Sequence, residues 1–335
     1  MFLNHAMNTF NAFRIHENGG AVEQLSLDQL SPGEVTIRVH WSGINYKDAL
    51  AGTGKGRILR RFPLVGGVDL AGRVVASADA AFAVGDPVLV TGCGLSETRD
   101  GGYAEYARVP AEAVIALPQG LTLRHAMAIG TAGFAAALAI MQLEHNGLVP
   151  GQGPVAVTGA SGGVGLLAVD MLAGRGYQVT AFTRKTEVAA LLKQVGATEV
   201  QQLDIAALTT RPLEVERWAG AIDNIGGAVV SHLLRSTRMQ GSVAAVGLAG
   251  GAELGVSLMP FLLRGVNLLG VNSAATKRDK RLAVWRRIAG DLAPRQLDAI
   301  VTRTVALAEL PQAFASLIAG SNAGRTLVRI HDDER

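Results

Sequence analysis

Between Val155 and Gly165 the chain reads VAVTGASGGVG: a β-branched run gives way to small residues and closely spaced glycines, and then to an apolar helical pattern. A backbone stripped of side chains there can approach a phosphate closely. A helix starting near Gly163 would aim its unpaired N–H groups and positive dipole end at a pyrophosphate. The surroundings read as a βαβ unit, with a strand over 154–158, a helix over 164–175 and a second strand over 177–182. The residues at the exit of that second strand select the nucleotide. A carboxylate there would hold the adenosine ribose of NAD and repel the extra phosphate of NADP, but this chain places Thr183, Arg184 and Lys185. A hydroxyl, a guanidinium and an ammonium suit a dianionic 2′-phosphate through charge-assisted hydrogen bonds. The other reading, a solvated cationic pair opening a helix, runs against the helix dipole. NADPH is therefore the expected cofactor.

The elements that must position these residues belong to a sizeable chain. At 335 residues and 49% hydrophobic composition, about two domains are expected. The formal net charge is +3, aromatics make up 5%, and no basic run is interleaved with aromatics, which argues against nucleic acid as a partner and leaves anionic small molecules open. The single cysteine, Cys93, rules out an intramolecular disulfide and a cysteine-rich zinc cluster, and it suits a reducing cytoplasm. Residues 1–20 lack the basic region and apolar core of a signal peptide. The uncharged stretch 126–143 approaches the length of a membrane span, but Gly130, Thr131, Gly133 and Gln142 interrupt it. A buried helix is expected there, and no membrane partner.

Texture changes along the chain. In the first third, short β-like runs over 34–40, 71–76 and 87–91 alternate with Gly and Pro turns, as in a compact, mostly β domain. From about Ala126, strands and helices alternate: the βαβ unit, a helix near 187–195, a strand ending near Asp223, a helix near 229–237, and strands over 242–246 and 266–271. An amphipathic helix over 281–292 leads away. The last segment, 302–330, returns to short pieces, and its GRTLVRI looks like a strand able to rejoin the first domain. The expected class is α/β: a β-rich domain over 1–127 and 302–335, with a doubly wound parallel-sheet domain inserted over 128–301.

That layout, with its motifs, resembles the medium-chain dehydrogenase/reductase superfamily over essentially the full length. NYKDAL (45–50), GKG (54–56), TGASGGVG (158–165), GLAGG (247–251), MPFLLR (259–264) and GRTLV (324–328) look like its acrylyl-coenzyme A reductase branch, and GTAGF (130–134) and WAGAID (218–223) agree. The resemblance implies a GroES-like β-rich domain and a Rossmann domain. Zinc-dependent alcohol dehydrogenases of the superfamily carry a cysteine after a first-domain strand and a Gly-His-Glu further on, supplying a Lewis-acid zinc. Here those places hold Asn45 and Gly67-Val68-Asp69. None of His5, His16, His40, His125, His145, His232 and His331 pairs at ligand spacing with another donor, so no metal is expected. The chemistry then shifts to a substrate that is already electrophilic, an activated alkene.

The resemblance narrows this to reduction of acrylyl-CoA to propionyl-CoA, with hydride arriving at the β-carbon and charge developing on the thioester oxygen. It implies that Ser161, Gly162, Gly163 and Val164 meet the pyrophosphate, and that Leu248, Leu262 and Ser273 line the nicotinamide side. Asn322 and Arg325 flank the returning strand and are expected to close over the cofactor. Tyr46 is the candidate for nicotinamide contact and for proton donation, with simple packing as its other reading; Asp48 and Asn45 order its loop. The family's basic residue before the third-strand turn is replaced by Leu203, which receives no role. Lys55, Arg57, Arg60 and Arg61 form a basic cluster in GKGRILRRFP, read either as a dock for coenzyme A phosphates, with Arg60 and Arg61 as substrate contacts, or as a solvated loop. Two rivals stand beside this reading: a zinc-free NADPH quinone or general enone reductase, and a non-catalytic NADPH-binding protein. The resemblance implies a homodimer, with a tetramer left open, and the apolar stretch 259–271 reads either as an edge strand able to pair with its copy or as a buried final strand.

Overall fold

The structure, a computed structural model, describes residues 9–208 and 210–331. His5 and the beginning of the segment read for a leader lie outside the described residues. The chain divides into two compact units, Met1–Thr131 with Arg303–Arg335, and Ala132–Thr302.

The first unit opens with a hairpin of β1 (Phe10–His16) and β2 (Gly19–Leu25), joined on the other side of β1 by β4 (Leu64–Val65). The longest strand, β3 (Val35–Ile44), leads into α1 (Tyr46–Gly52). After it come β5 (Asp69–Ser77), β6 (Pro87–Thr91), β7 (Tyr106–Val109) and β8 (Ile115–Ala116). Along the start of β3, Val35, Ile37 and Val39 point inward while Thr36 and Arg38 stay half-buried, the alternation of a sheet with one covered face. The inward residues pack on Leu70, Val74, Val88 and Val90. The long helix α2 (Leu123–His145) contains the uncharged stretch 126–143, and it is mostly buried inside the protein. It kinks at Gly130, whose φ of 50° and ψ of −156° suit glycine alone.

The second unit runs β9 (Val155–Val157), α3 (Gly163–Gly174), β10 (Val179–Thr183), α4 (Ala189–Gln194), β11 (Glu199–Gln202) and β12 (Trp218–Asp223). It continues with α5 (Gly227–Ser236), β13 (Thr237–Ala245), α6 (Met259–Arg264), β14 (Asn267–Gly270), α7 (Arg278–Ile288) and α8 (Leu297–Ile300). The six strands are parallel in the order β11-β10-β9-β12-β13-β14, so chain order reverses between β9 and β12. This is the doubly wound arrangement, whose ligands sit outside the carboxyl ends of the strands at such a reversal. The chain then returns through β15 (Val301–Val305), α9 (Leu310–Ile318) and β16 (Arg325–Arg329). Strand β16 lies antiparallel to β3, pairing Leu327 with Gly43 and Val328 with Ser42. The GroES-like sheet therefore takes its strands from both sides of the Rossmann insertion.

One expectation is corrected. The apolar stretch 259–271 is not a single edge strand, because Pro260 in the first turn and Gly265 in the left-handed region (φ 60°) cap a short helix, α6. Only Asn267–Gly270 is extended, at the sheet edge beside β13.

Candidate functional site

In the second unit, the reversal point is built by side chains that tie neighbouring strand exits together. Just past β9, Thr158 donates its hydroxyl to Oδ1 of Asp223 at 2.6 Å and accepts the backbone N–H of Asn224 at 3.1 Å. Asn224 Nδ2 donates to the Thr158 carbonyl at 2.8 Å, and Gly226 N–H donates to Asp223 Oδ2 at 2.6 Å. Burial raises the Asp223 carboxyl above the usual carboxylate range, while Thr158 and the Gly226 amide hold it back. A Cβ on Gly226 would lie 2.4 Å from the Gly251 carbonyl and 3.1 Å from Leu248 Cα, so the loops after β12 and β13 run backbone against backbone. Leu248 is thus beside the reversal point, and it is 68% exposed.

The glycine turn fits a dinucleotide. Gly159 has a φ of 57°, Gly162 caps α3, and a Cβ on Gly165 would stand 2.5 Å from both Ala160 Cα and the Gly159 carbonyl. Each glycine thus serves the tight turn or the close packing of helix on strand. Ser161, Gly162, Gly163 and Val164 line the N-terminus of α3, where first-turn N–H groups have no acceptor within the helix. Asn224 Oδ1 is buried without a hydrogen-bond partner among the described residues, an acceptor left open at the same edge. At the exit of β10, Thr183 turns its hydroxyl to the Lys185 N–H at 3.0 Å. Lys185 is half-buried, and desolvation lowers its ammonium below the usual lysine range. Arg184 is exposed and makes no hydrogen bond or ion pair among the described residues. Leu203 lines a cavity of about 330 Å³ with Phe182, Gln202, Trp218, Val229 and His232. Leu262 is on α6, 76% exposed, and Ser273 lies three residues past β14.

Tyr46, Arg60, Arg61 and Asn322 belong to the first unit. Tyr46 opens α1 and is 46% exposed. Behind it is a buried polar network that the sequence did not reveal. Asn45 donates to Asp69 Oδ2 at 2.8 Å and to Asp48 Oδ2 at 3.2 Å, while Asp69 also receives the Thr131 hydroxyl at 2.5 Å and the Thr131 N–H at 2.9 Å. The Arg325 guanidinium lies 4.0 Å from Asp69 and donates to the carbonyls of Ile44, Met127 and Ala128 and to Asn45 Oδ1. It is only 2% exposed, so Arg325 does not close over a cofactor: its donors are committed inside the unit. The basic cluster also divides. Arg61 donates to Thr98 O at 3.1 Å and Ser31 Oγ at 2.8 Å, whereas Lys55, Arg57 and Arg60 are exposed, with no side-chain hydrogen bond or ion pair among the described residues.

Comparison with known proteins agrees with both units. Residues 31–119 match the alcohol dehydrogenase GroES-like domain, and residues 163–289 match the zinc-binding dehydrogenase family. The acrylyl-CoA reductase AcuI of Ruegeria pomeroyi is 47% identical over 93% of this chain and 94% of its own. YhfP of Bacillus subtilis, named among the quinone oxidoreductases, is 47% identical over 92% of this chain and 94% of its own. Its crystal structure with NAD bound superposes with a TM-score of 0.93, covering 97% of this chain and 100% of that one. The yhdH oxidoreductase of Salmonella enterica, crystallised with NADP, is 45% identical with a TM-score of 0.93, covering 96% of this chain and 100% of that one. The chain belongs to the medium-chain dehydrogenases/reductases, in their quinone oxidoreductase and acrylyl-CoA reductase branch. It is a nicotinamide-dependent oxidoreductase of the enoyl-reductase type.

A zinc ion does not fit this reductase. Asn45 spends both ends of its amide on Asp48, Asp69 and Arg325; Val68 is apolar; both Asp69 oxygens are occupied. Among the described residues no group of three His, Cys, Asp or Glu side chains could hold a metal. Asp223 and Asn224 belong to the reversal point without having been singled out from the sequence, although a polar pair at the end of an apolar strand, one residue before two glycines, is a visible signal.

Proposed function

We propose that the reductase uses NADPH to reduce a carbon–carbon double bond conjugated to a carbonyl group, and that its substrate is acrylyl-CoA, which becomes propionyl-CoA. The observation that carries the cofactor reading is Arg184: an exposed, uncommitted guanidinium directly after β10, beside a glycine turn and with no carboxylate at the strand exit. The similarity to AcuI supports the acyl thioester.

In this reading the α3 N-terminus with Ser161, Gly162, Gly163 and Val164 holds the pyrophosphate. Thr183, Arg184 and Lys185 hold the adenosine phosphate. Leu248, Leu262 and Ser273 line the nicotinamide side, and Asn322 contacts the cofactor. NADPH, when bound, supplies a hydride for the β-carbon. The electron pair of the double bond then moves toward the thioester oxygen, and the α-carbon takes up a proton. Tyr46 contacts the cofactor and delivers that proton; its hydroxyl makes no hydrogen bond among the described residues. Arg60 and Arg61 dock the coenzyme A phosphates. The reductase works as a homodimer, a reading supported by the open edge of β14 and by exposed Leu258, Met259 and Leu263 beside it.

A second reading, a quinone or general enone reductase, is favoured by the equal identity to YhfP. The test is NADPH and NADH oxidation by the purified protein with acrylyl-CoA, acrolein and a quinone at equal concentration. Fastest turnover of acrylyl-CoA with NADPH supports the proposal. Faster turnover of quinone or acrolein moves the function to the second reading, and no turnover with any acceptor leaves an NADPH-binding protein.

A further inference from the structure

The buried network behind Tyr46 contains more charge than a loop anchor needs. Asp48, Asp69 and Arg325 are 1%, 0% and 2% exposed, two potential anions around one cation. Burying an uncompensated charge is costly, so the surplus must be met by hydrogen bonds or by a proton. Asp69 has the hydrogen bonds: Thr131 twice, Asn45 once, with Arg325 alongside. Asp48 has as many hydrogen bonds but, among the described residues, no ion pair such as Asp69 has with Arg325 at 4.0 Å, so it is held by N–H donors. Its Oδ1 accepts the Val68 N–H at 3.0 Å, and its Oδ2 accepts the Asn45 backbone N–H at 2.8 Å and Asn45 Nδ2 at 3.2 Å.

Those last two bonds fix Asn45, the N-cap of α1, and the residue they bracket with Asp48 in that first turn is Tyr46. The grip is rigid on its far side too. Arg325 lies between two backbones where a Cβ on Gly43 would come within 2.5 Å, and one on Gly130 within 2.8 Å, of its Nη2. Neither wall can yield without unpacking β3 or the α2 kink.

We propose that Asp48 is a positioning residue for Tyr46, passing its own protonation state through Asn45 to the first turn of α1. This rests on the role of Tyr46 given above. Ionised, Asp48 makes charge-assisted bonds to both nitrogens of Asn45 and places its charge where the α1 dipole favours it. Protonated, it gives up much of that strength, and the turn that holds Tyr46 slackens. The groups facing Asp48 set the pH at which this happens. Burial and the Asp69 carboxylate push Asp48 up to about 7, against the N–H bonds from Asn45 and Val68. The remaining neighbours are Arg325, which is cationic, and Tyr103, whose hydroxyl donates to Gly43 O at 3.2 Å. Lys47, on the same helix, is taken by Glu97 at 2.6 Å.

The experiment places 4-trifluoromethyl-phenylalanine at position 46 of the full chain and tracks its fluorine resonance between about pH 5.5 and 8.5. The probe itself does not titrate. The expected result is a shift with its midpoint near neutrality that vanishes in Asp48→Asn and moves about one pH unit lower in Asp69→Asn, where the repelling charge is gone. In protein with natural Tyr46, kcat should fall toward acid along the same curve, and Asp48→Asn should flatten it. A resonance that stays fixed over the range, or that titrates alike with and without Asp48, overturns the inference. Should Asp48→Asn fail to fold, an unmoved midpoint in Asp69→Asn overturns it equally. A titrating probe in a protein that does not turn over acrylyl-CoA would sink the substrate reading and leave this one standing.

Discussion

Thr158 and Asp223, 65 positions apart, meet hydroxyl to carboxylate at 2.6 Å where the parallel sheet reverses its order. The same hydroxyl accepts from Asn224. Thr158→Val keeps the shape and deletes both bonds, leaving a buried carboxyl short of a donor. We expect a loss of about 1–3 kcal/mol, seen as a lower Tm, with weaker NADPH binding in a fluorescence titration. An unchanged Tm would show that this bond does not hold the reversal point together.

Gly165→Ala should damage cofactor binding more than folding. The added carbon would stand 2.5 Å from backbone atoms of Ala160 and Gly159, so the glycine turn must move off α3. An NADPH dissociation constant raised at least about tenfold is expected from a shift of this kind, equivalent to about 1.4 kcal/mol. Equal binding by wild type and variant would disprove the close-packing argument.

Arg184→Ala separates the two nicotinamide cofactors. Charge-assisted hydrogen bonds to a phosphate contribute about 1.5–3 kcal/mol, so NADPH affinity should drop roughly 10- to 100-fold while NADH affinity stays the same. Parallel titrations with both cofactors check this. Equal losses for the two would remove Arg184 from the phosphate site.

Arg60 and Arg61 should behave differently although they are neighbours. Arg61 ties Ser31 and Thr98 to its loop, so Arg61→Ala should lower Tm. The side chain of Arg60 touches no partner among the described residues, so Arg60→Ala should leave Tm alone, raise KM for acrylyl-CoA and reduce its salt dependence, without affecting KM for acrolein. A KM that rises for both acceptors would point away from the coenzyme A phosphates.

Stability should fall as pH rises toward neutrality on account of Asp48. Its folded value of about 7 lies above the ordinary 3.8, so the folded protein holds that proton more tightly than the unfolded chain. The contribution is complete below the unfolded value and is lost as pH climbs through the folded one, at up to about 1.4 kcal/mol per pH unit. Urea unfolding of wild type and Asp48→Asn at several pH values measures the difference, which should narrow between about pH 4 and 7 and stay constant above.

Much of the Rossmann unit was legible because its signals are local. The glycine turn, the apolar α3 and the strand ending at Asp223 each sit within a few residues of the pattern that announces them. The β-rich unit was legible only as texture: β4 and β8 are two residues each, and whether a short run pairs depends on partners far along the chain. Residues 259–271 misled because short apolar runs read alike as helix or strand, and Pro260 with Gly265 decided for a helix over the first half. The network behind Tyr46 was hidden for a related reason. Asn45 and Arg325 are 280 positions apart, and nothing near Arg325 in sequence announces that it faces inward.

The position of β16 also sets an order of events during synthesis. Arg325 is synthesised 281 positions after Ile44, yet the carbonyl oxygens at the end of β3 and at the bend of α2 lack their guanidinium donor until then. The inserted unit can close while the ribosome is still translating, whereas the surrounding one must wait for β16 to pair with β3.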